Sequence, residues 1–364
     1  MTQETSSLRL ISGVGKKGPA AFLLEARGRR LLLDLGEGPP PGLLPAVDGL
    51  GAIDAVVLSH GHRDHVGGLP ELLPRLGHPP VYATAAVAQG LHGVTATQAL
   101  PLTGKSDILG LAIETGRNGH APGGVWIGFA AGGGFLYTGD YAPDSPLYAY
   151  DPPALKVATA LIDCSYATEQ RSLADCWTTL AGFIARGPVL MPVPANGRGP
   201  EIALALMRHG VEDIHVDDAV RDALRRLAGS DAASAHAGIG AELNRLAAHL
   251  EPIAGPRGVM LAASADGTSG ATALLLPAFE AMPEVTILFT GYINPRTPAE
   301  RLTQSGRAQT MRWNVHPRLS DSVALVRATE AKQVIPAFCD RAQIGALAEA
   351  FAPARVTMDG PVTL

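Results

Sequence analysis

The residues with the clearest chemical potential lie together in one short turn. Four side chains able to bind a metal fall within six residues: His60, His62, Asp64 and His65. The cluster follows the apolar segment 53–59 and precedes two glycines, so a strand-to-helix turn could bring its side chains together. Imidazole nitrogens and carboxylate oxygens are ligands of divalent ions such as zinc. Because three of the chain's 11 histidines share this turn, a metal centre is favoured over a merely solvated loop.

Three further candidates fall in turn-like segments on either side of the cluster. Asp34 ends the apolar segment 30–34, His120 lies between Gly119 and Ala121-Pro122-Gly123, and Asp140 follows Tyr137-Thr138-Gly139. Taken alone, His120 and Asp140 are as consistent with turn residues as with ligands. In their order along the chain, however, these residues and the cluster resemble the successive motifs of the metallo-β-lactamase fold.

The resemblance implies an α/β chain whose core is an αββα sandwich with metal ions at one edge. It assigns six ligands to two ions: His60, His62 and His120 to the first, Asp64 and His65 to the second, and Asp140 to both. Asp34 would orient these ligands from behind. The expected cofactor is zinc, as one or two ions, with Mn²⁺ or Fe²⁺ as alternatives. Hydrolysis by a metal-bound hydroxide, oriented by Asp64, is the implied chemistry.

The second half of the chain carries motifs similar to those of the β-CASP branch of this superfamily. They are the acidic strand end at Asp163, the Gly-Arg loop 194–201, the small-residue turn 264–270, and Gly291-Tyr292 followed by Thr297 and Arg301. From about Leu173, helical and strand patterns alternate, as in an α/β unit. The resemblance therefore implies a β-CASP-like domain over 171–311, inserted between core segments 1–170 and 312–364.

Two later positions depart from the β-CASP pattern. Leu319 stands where a histidine acting on the leaving group is expected, and His316, three residues earlier, could replace it or simply end a strand. Phe338 stands in place of the last metal-binding histidine. Cys339 or Asp340 could substitute, although a buried structural cysteine is the commoner outcome. The candidate catalytic residues are accordingly Asp64, Asp163 and His316.

Composition limits the partners. The net charge of −5 offers no general attraction to a phosphate backbone, and aromatic residues make up only 5% of the chain. Arg221, Arg225 and Arg226 could form a basic strip on one helix, or simply face solvent.

No unbroken apolar run approaches the length of a membrane span, and residues 1–10 do not resemble a secretory signal. With three cysteines and no CxxC spacing, a cytoplasmic location is expected. The chain could form a homodimer.

Three hypotheses remain open from the sequence. The leading one is a β-CASP-type phosphodiesterase or nuclease acting on single-stranded nucleic acid or a small phosphodiester. The second is a hydrolase of a small ester, thioester or lactone, which needs the same metal chemistry but no basic groove. The third is a catalytically degenerate protein that keeps the metal and the fold.

Overall fold

The computed structural model of the protein describes residues 6–94 and 96–364, so part of the N-terminal segment used to predict location lies outside the described residues. The chain forms two compact units. The first comprises residues up to 143, 150–170 and 316–364, and the second comprises 144–149 and 171–315. Residues 144–149 and 312–315, which the sequence placed in the core, thus belong to the second unit. The reason is local, since Ser145 and Trp313 both hydrogen-bond to Glu201 of that unit.

The elements alternate along the chain as follows. Before residue 170 the strands are β1 (Ser7–Ser12), β2 (Ala21–Ala26), β3 (Arg29–Leu33), β4 (Ala55–Val57), β5 (Val81–Ala83), β6 (Thr97–Ala99), β7 (Gly104–Ile108), β8 (Leu111–Arg117), β9 (Val125–Phe129), β10 (Phe135–Tyr137) and β11 (Thr159–Asp163). The helices of this stretch are α1 (Arg63–Val66), α2 (Leu69–Arg75) and α3 (Ala85–Gln89). The second unit contains α4 (Leu173–Ile184), β12 (Val189–Pro192), α5 (Arg198–Arg208), β13 (Ile214–Val216), α6 (Asp218–Ala228), α7 (Gly240–His249), β14 (Glu251–Pro252), β15 (Val259–Ala262), α8 (Gly270–Glu280), β16 (Thr286–Phe289), α9 (Pro298–Gln304) and β17 (Ala308–Thr310). The chain then returns to the first unit with α10 (Leu319–Thr329), β18 (Gln333–Ala337), α11 (Ile344–Phe351), β19 (Arg355–Val356) and β20 (Val362–Thr363).

The first unit is a sandwich of two seven-stranded sheets. Their strand orders are β20-β1-β2-β3-β4-β5-β6 and β19-β18-β11-β10-β9-β8-β7. The central strands of each sheet are buried on both faces, which explains their nearly continuous apolar runs, whereas β6 and β7 are largely exposed. In β2, for example, Phe22 and Leu24 face the inner core while Leu23 packs in the outer cluster with α2. Helices α10 and α11 cover the outer face of the other sheet. The predicted αββα sandwich is confirmed.

Local chemistry explains one success and one failure of the sequence prediction. The segment 131–134 joins β9 and β10 as an antiparallel pair, as its glycines predicted. The helical pattern of residues 86–100 makes them a candidate helix, and this prediction was wrong, because α3 ends at Gln89 and Gly93 takes a φ of 74°, which a helix cannot contain. Thr95 of that range lies outside the described residues. Among the residues described, no helix is long and apolar enough to cross a membrane.

The second unit is built on a six-stranded parallel sheet in the order β14-β13-β15-β12-β16-β17. The predicted Gly-Arg loop leads into α5, and its Arg198 lies against Gly291 of the second motif segment. A Cβ atom at Gly291 would fall 2.0 Å from Arg198 Nη1, so a side chain at position 291 would displace the Arg198 guanidinium. Two motifs recognised separately in the sequence are therefore in contact.

Glu201 is a buried carboxyl group that joins separate segments of the second unit through hydrogen bonds. It lies on α5, 1% exposed, where the Trp313 indole donates to Oε1 at 2.7 Å and the Ser145 hydroxyl donates to Oε2. Ser145 Oγ also accepts from the backbone N–H groups of Leu147 and Tyr148. Burial raises the pKa of Glu201 to about 7, although both hydrogen bonds act in the opposite direction.

Replacement of Glu201 by Gln should flatten the pH dependence of stability. Because the pKa of Glu201 is about 7 in the folded state and 4.5 in the reference state, the folded chain keeps a proton that the unfolded chain loses. The free energy of unfolding should fall by about 3 kcal/mol as pH rises between these two values. Urea unfolding followed by tryptophan fluorescence from pH 4.5 to 7.5 measures this slope. The exposed Glu251→Gln is the control, and an unchanged slope in Glu201→Gln would refute the assignment.

Candidate metal centre

Backbone contacts fix the turn that carries the first ligands. His60 follows β4, His62 is the N-cap residue of α1, and His65 lies within that helix. The carbonyl groups of α1 accept hydrogen bonds from the chain after β3, including Leu35 N to His65 O at 2.8 Å. A Cβ atom at Gly36 would lie 1.7 Å from the carbonyl oxygen of Asp64. Only glycine allows this close approach.

Two more turns bring His120 and Asp140 to the same edge of the sandwich. His120 follows Gly119, which has a φ of 72°, and its backbone N–H donates to Asn118 Oδ1 at 3.1 Å. Asp140 follows β10 through Gly139, whose φ is 54°. These are the turn conformations that glycine adopts without strain.

The structure brings six of the predicted residues together. Among the described residues, three groups each place three potential ligand atoms within 4.8 Å of one another: His60, His62 and His120 form the first ligand group, His60, His65 and Asp140 the second, and His120, Asp140 and His316 the third. Asp140 lies centrally. Its Oδ2 is 3.6 Å from His120 Nε2 and 3.7 Å from His316 Nδ1, while its Oδ1 is 3.2 Å from His65 Nε2.

The centre contains buried polar atoms that a metal ion would satisfy. Within the described part of the chain, His60 Nε2, His65 Nε2 and Asp140 Oδ1 are buried and have no aligned hydrogen-bond partner. Such atoms carry a desolvation cost of about 1–3 kcal/mol each. His62 Nδ1 and His120 Nε2 lie 2.9 Å apart and close the other side of the cluster. The donor set therefore fits a divalent ion of the zinc type.

Burial and charge set the protonation states of the ligands. Burial lowers the pKa of His60 well below its usual range, and the neighbouring His65 acts in the same direction. Burial also opposes charge on His65, yet Asp140 and Asp34 raise the pKa of that imidazole well above its usual range. For Asp140, burial is outweighed by His65 and His316, which lower the pKa of its carboxyl. A neutral His60 and an ionised Asp140 are the forms that bind a metal.

A buried carboxylate holds the ligands from behind. Asp34 is fully buried and accepts hydrogen bonds from Ser59 N, Ser59 Oγ and His65 Nδ1, each at 2.7 Å. The hydroxyl of Tyr137, from the opposite sheet, also donates to Asp34 Oδ2. These hydrogen bonds are the contacts that the predicted orienting role of Asp34 requires. No sequence pattern indicated the hydrogen bonds of Ser59 and Tyr137 to Asp34. A tyrosine in a buried strand, in particular, is indistinguishable from an ordinary core residue.

His316 lies in the centre and is paired with Asp163. Its Nδ1 donates to Asp163 Oδ2 at 2.8 Å, and Asp163 also accepts from the backbone N–H of Tyr141 at 3.3 Å. The ring packs edge-on against Tyr166, with 5.0 Å between ring centroids. The side chain of His316 is 12% exposed, whereas that of Asp163 is fully buried. Two residues 153 positions apart thus form one hydrogen-bonded unit.

Several candidates lie outside the ligand groups. Asp64, expected to bind the second ion, belongs to none of the three groups among the described residues. Leu319 is the first residue of α10. Cys339 lies in an apolar cluster, and burial raises the pKa of its thiol to about 12, so it is not a ready thiolate ligand. Asp340 is exposed and caps the short turn Arg341–Gln343. Neither of the last two belongs to a ligand group among the described residues.

The arginines of α6 are engaged within the second unit. Arg221 donates to the carbonyl oxygen of Leu250 at 2.6 Å, Arg225 pairs with Asp222, and Arg226 donates to Asn196. Their side chains stabilise neighbouring turns and a helix end. The alternative of a basic strip on this helix is weakened.

Two stacked sheets with helices outside and an imidazole–carboxylate cluster at one edge define the αββα class of metal-binding proteins. Residues 14–187 match the model of the metallo-beta-lactamase superfamily. This match covers just under half of the chain and identifies a metallo-beta-lactamase domain within its first 187 residues, as the sequence predicted.

The chain resembles several proteins of RNA metabolism. It is 28% identical over 253 residues to transcription termination factor FttA of Cenarchaeum symbiosum, covering 56% of this chain and 39% of the relative. It is 30% identical over 227 residues to a ribonuclease of Thermus thermophilus, covering 52% of each. Cleavage and polyadenylation specificity factor 73 of Drosophila melanogaster is 27% identical over 252 residues, or 57% of this chain and 36% of that one. The chain spans about half the length of these relatives, or less.

The fold also recurs in a solved structure. A protein of unknown function from Enterococcus faecalis superposes with a TM-score of 0.62 at 13% identity, over 99% of this chain and 100% of the other. At this level of identity the likeness concerns the fold alone.

Replacement of Asp34 by Asn should destabilise the first unit and weaken metal binding together. The amide would place N–H groups against donors that now converge on two carboxylate oxygens, at a cost of about 3 kcal/mol or more. Asp34 also holds Ser59, whose hydroxyl oxygen lies 3.1 Å from Nδ1 of His60, so loss of this support should lower metal affinity by about 10- to 100-fold. Urea unfolding and competition with a chelator measure the two effects. Asp54→Asn, at a surface pair with Arg29, is the control. Wild-type metal affinity in Asp34→Asn would contradict the orienting role.

Proposed function

We propose that the protein is a metal-dependent phosphodiesterase or nuclease of the β-CASP type, acting on single-stranded nucleic acid. The observation that carries the proposal is the Asp163–His316 pair, whose imidazole lies 3.7 Å from Asp140 in the metal centre. The similarity to a ribonuclease and to RNA-processing factors supports the same reaction class.

The ligands for an ion come from the first ligand group and Asp140, and zinc is the proposed metal because its preferred donors are imidazole and carboxylate. When bound, such an ion supplies Lewis acidity toward a phosphoryl oxygen and lowers the pKa of a water molecule. Asp34 and Ser59 hold the imidazoles in orientation. Asp64 remains a proposed contributor to orienting the attacking water.

His316 is proposed to carry a proton to the leaving oxygen. Asp163 fixes the ring by accepting from Nδ1, which leaves the other nitrogen, Nε2, for a substrate atom. The partial exposure of His316 allows such contact, whereas the buried His60 and His65 are enclosed by protein. An alkoxide is a poor leaving group, so a proton donor at this point assists cleavage of a phosphodiester more than that of an activated ester.

A second candidate function is hydrolysis of a small ester, thioester or lactone. The engagement of the α6 arginines and the net charge of −5 favour a substrate that needs no basic groove. For either substrate class we propose a cytoplasmic location, since all three cysteines are free thiols.

The two functions are separated by comparing substrates on one metal-loaded preparation. A single-stranded RNA oligonucleotide, a chromogenic phosphodiester and a thioester are assayed with the wild type, and Asp64→Asn and Asp140→Asn serve as site controls. We expect cleavage of RNA and of the phosphodiester. Turnover of the thioester alone would overturn the nuclease proposal, and no turnover by a fully loaded protein would favour the degenerate alternative.

Replacement of His316 by Gln should lower kcat for RNA by roughly 10²- to 10⁴-fold, the usual worth of a general acid. Metal content should be unchanged if His316 acts on the leaving group. Asp163→Asn should have a smaller effect in the same direction, because it only loosens the ring. The exposed His92→Gln is the control. Equal loss of kcat and of bound metal in His316→Gln would instead identify His316 as a ligand.

A further inference from the structure

The three ligand groups cannot all be filled at once. The first and second share His60, the first and third share His120, and the second and third share Asp140. An imidazole ordinarily gives one nitrogen to one ion, so an ion on the first group removes His60 and His120 from the other two. Asp140 alone can serve two ions, because it has two oxygens.

Among the three ligand groups of the described residues, the remaining two-ion arrangement would combine the second and third groups through Asp140. It requires His316 as a ligand. The nitrogen of His316 nearest to Asp140 is Nδ1, and that atom donates to Asp163 at 2.8 Å. A nitrogen that carries a hydrogen has no free electron pair for an ion. This arrangement would also leave His62 unused.

Phe338 closes the side of the centre where a second ion would need another donor. Its ring lies edge-on to His65 at 5.2 Å between centroids and contacts Phe22 at 6.2 Å. The backbone N–H of Phe338 donates to Gly13 O at 2.7 Å, and the residue is 4% exposed. Apart from the shared His60, the described ligand groups leave only His65 and Asp140 on this side. An apolar ring cannot complete a coordination shell, and it excludes the water that might.

We propose that the centre binds one divalent ion, held by the first ligand group and Asp140, and that Phe338 keeps a second ion out. His65 then lies between Asp34, which accepts a hydrogen bond from its Nδ1, and Asp140, whose Oδ1 is 3.2 Å from its Nε2, and is not a ligand. The inference deepens the metal centre of the proposed function but is independent of its substrate.

The number of zinc ions bound per chain tests this proposal directly. The chain is loaded with excess zinc, freed of unbound metal by gel filtration, and analysed by mass spectrometry for zinc per chain. We expect one zinc in the wild type, two in Phe338→His, and one in Phe338→Leu, which removes the ring without adding a donor. Two ions in the wild type, or one in a natively folded Phe338→His, would overturn the proposal. If Phe338→His does not fold, a cobalt titration of the wild type, followed by visible absorption, gives the count.

Two further variants locate the ion. His62→Gln should lose it, since His62 belongs only to the first ligand group, whereas His65→Gln should retain one ion. The reverse pattern would place the ion on the second group and overturn the assignment. Because these measurements use no substrate, one bound ion without RNA cleavage would refute the proposed function and leave the single-ion inference intact.

Discussion

The buried carboxylate of Asp34 is the interaction on which the metal centre depends. It lies at the end of β3 and gathers donors from the Ser59 turn, from α1 and, through the Tyr137 hydroxyl, from the opposite sheet. An ionised group without water is costly unless every lone pair is used. The centre is therefore assembled around a buried carboxyl group that lies behind the ligands, and the position of His65 follows from it.

Asp140 divides the centre into two unequal sides. Toward Oδ2 lie imidazoles and the Asp163–His316 pair, which is the part of the site with access to solvent. Toward Oδ1 lie His65 and the buried ring of Phe338, which close this side. The single-ion proposal therefore places the chemistry on the Oδ2 side of this one carboxylate.

The sequence predicted the sandwich and the alternation of helices and strands in the second half, because periodicity is a local property. The spacing of His60, His62 and His65 predicted a cluster of potential ligands, and their assignment to metal ions stays a prediction. The sequence left His316 ambiguous, since the partner that fixes its ring is 153 residues away. It assigned Asp64 to the second ion by resemblance to a motif, and that assignment stays a prediction, because side-chain direction depends on how α1 packs. The helix expected at 86–100 does not form along its whole length, because glycines interrupt its apolar spacing.

The close approach of Gly36 to the carbonyl oxygen of Asp64 determines which substitutions this position can tolerate. A side chain at position 36 would displace the helix that presents His65, so substitutions there would abolish function as thoroughly as the loss of a ligand. In a survey of tolerated substitutions, Gly36 would be indistinguishable from a reactive group although it contributes no atom to the reaction. Position 36 does not tolerate a side chain because two backbone segments approach closely there. A chemical role must therefore be inferred from the side chains that can donate atoms to a metal ion or a substrate.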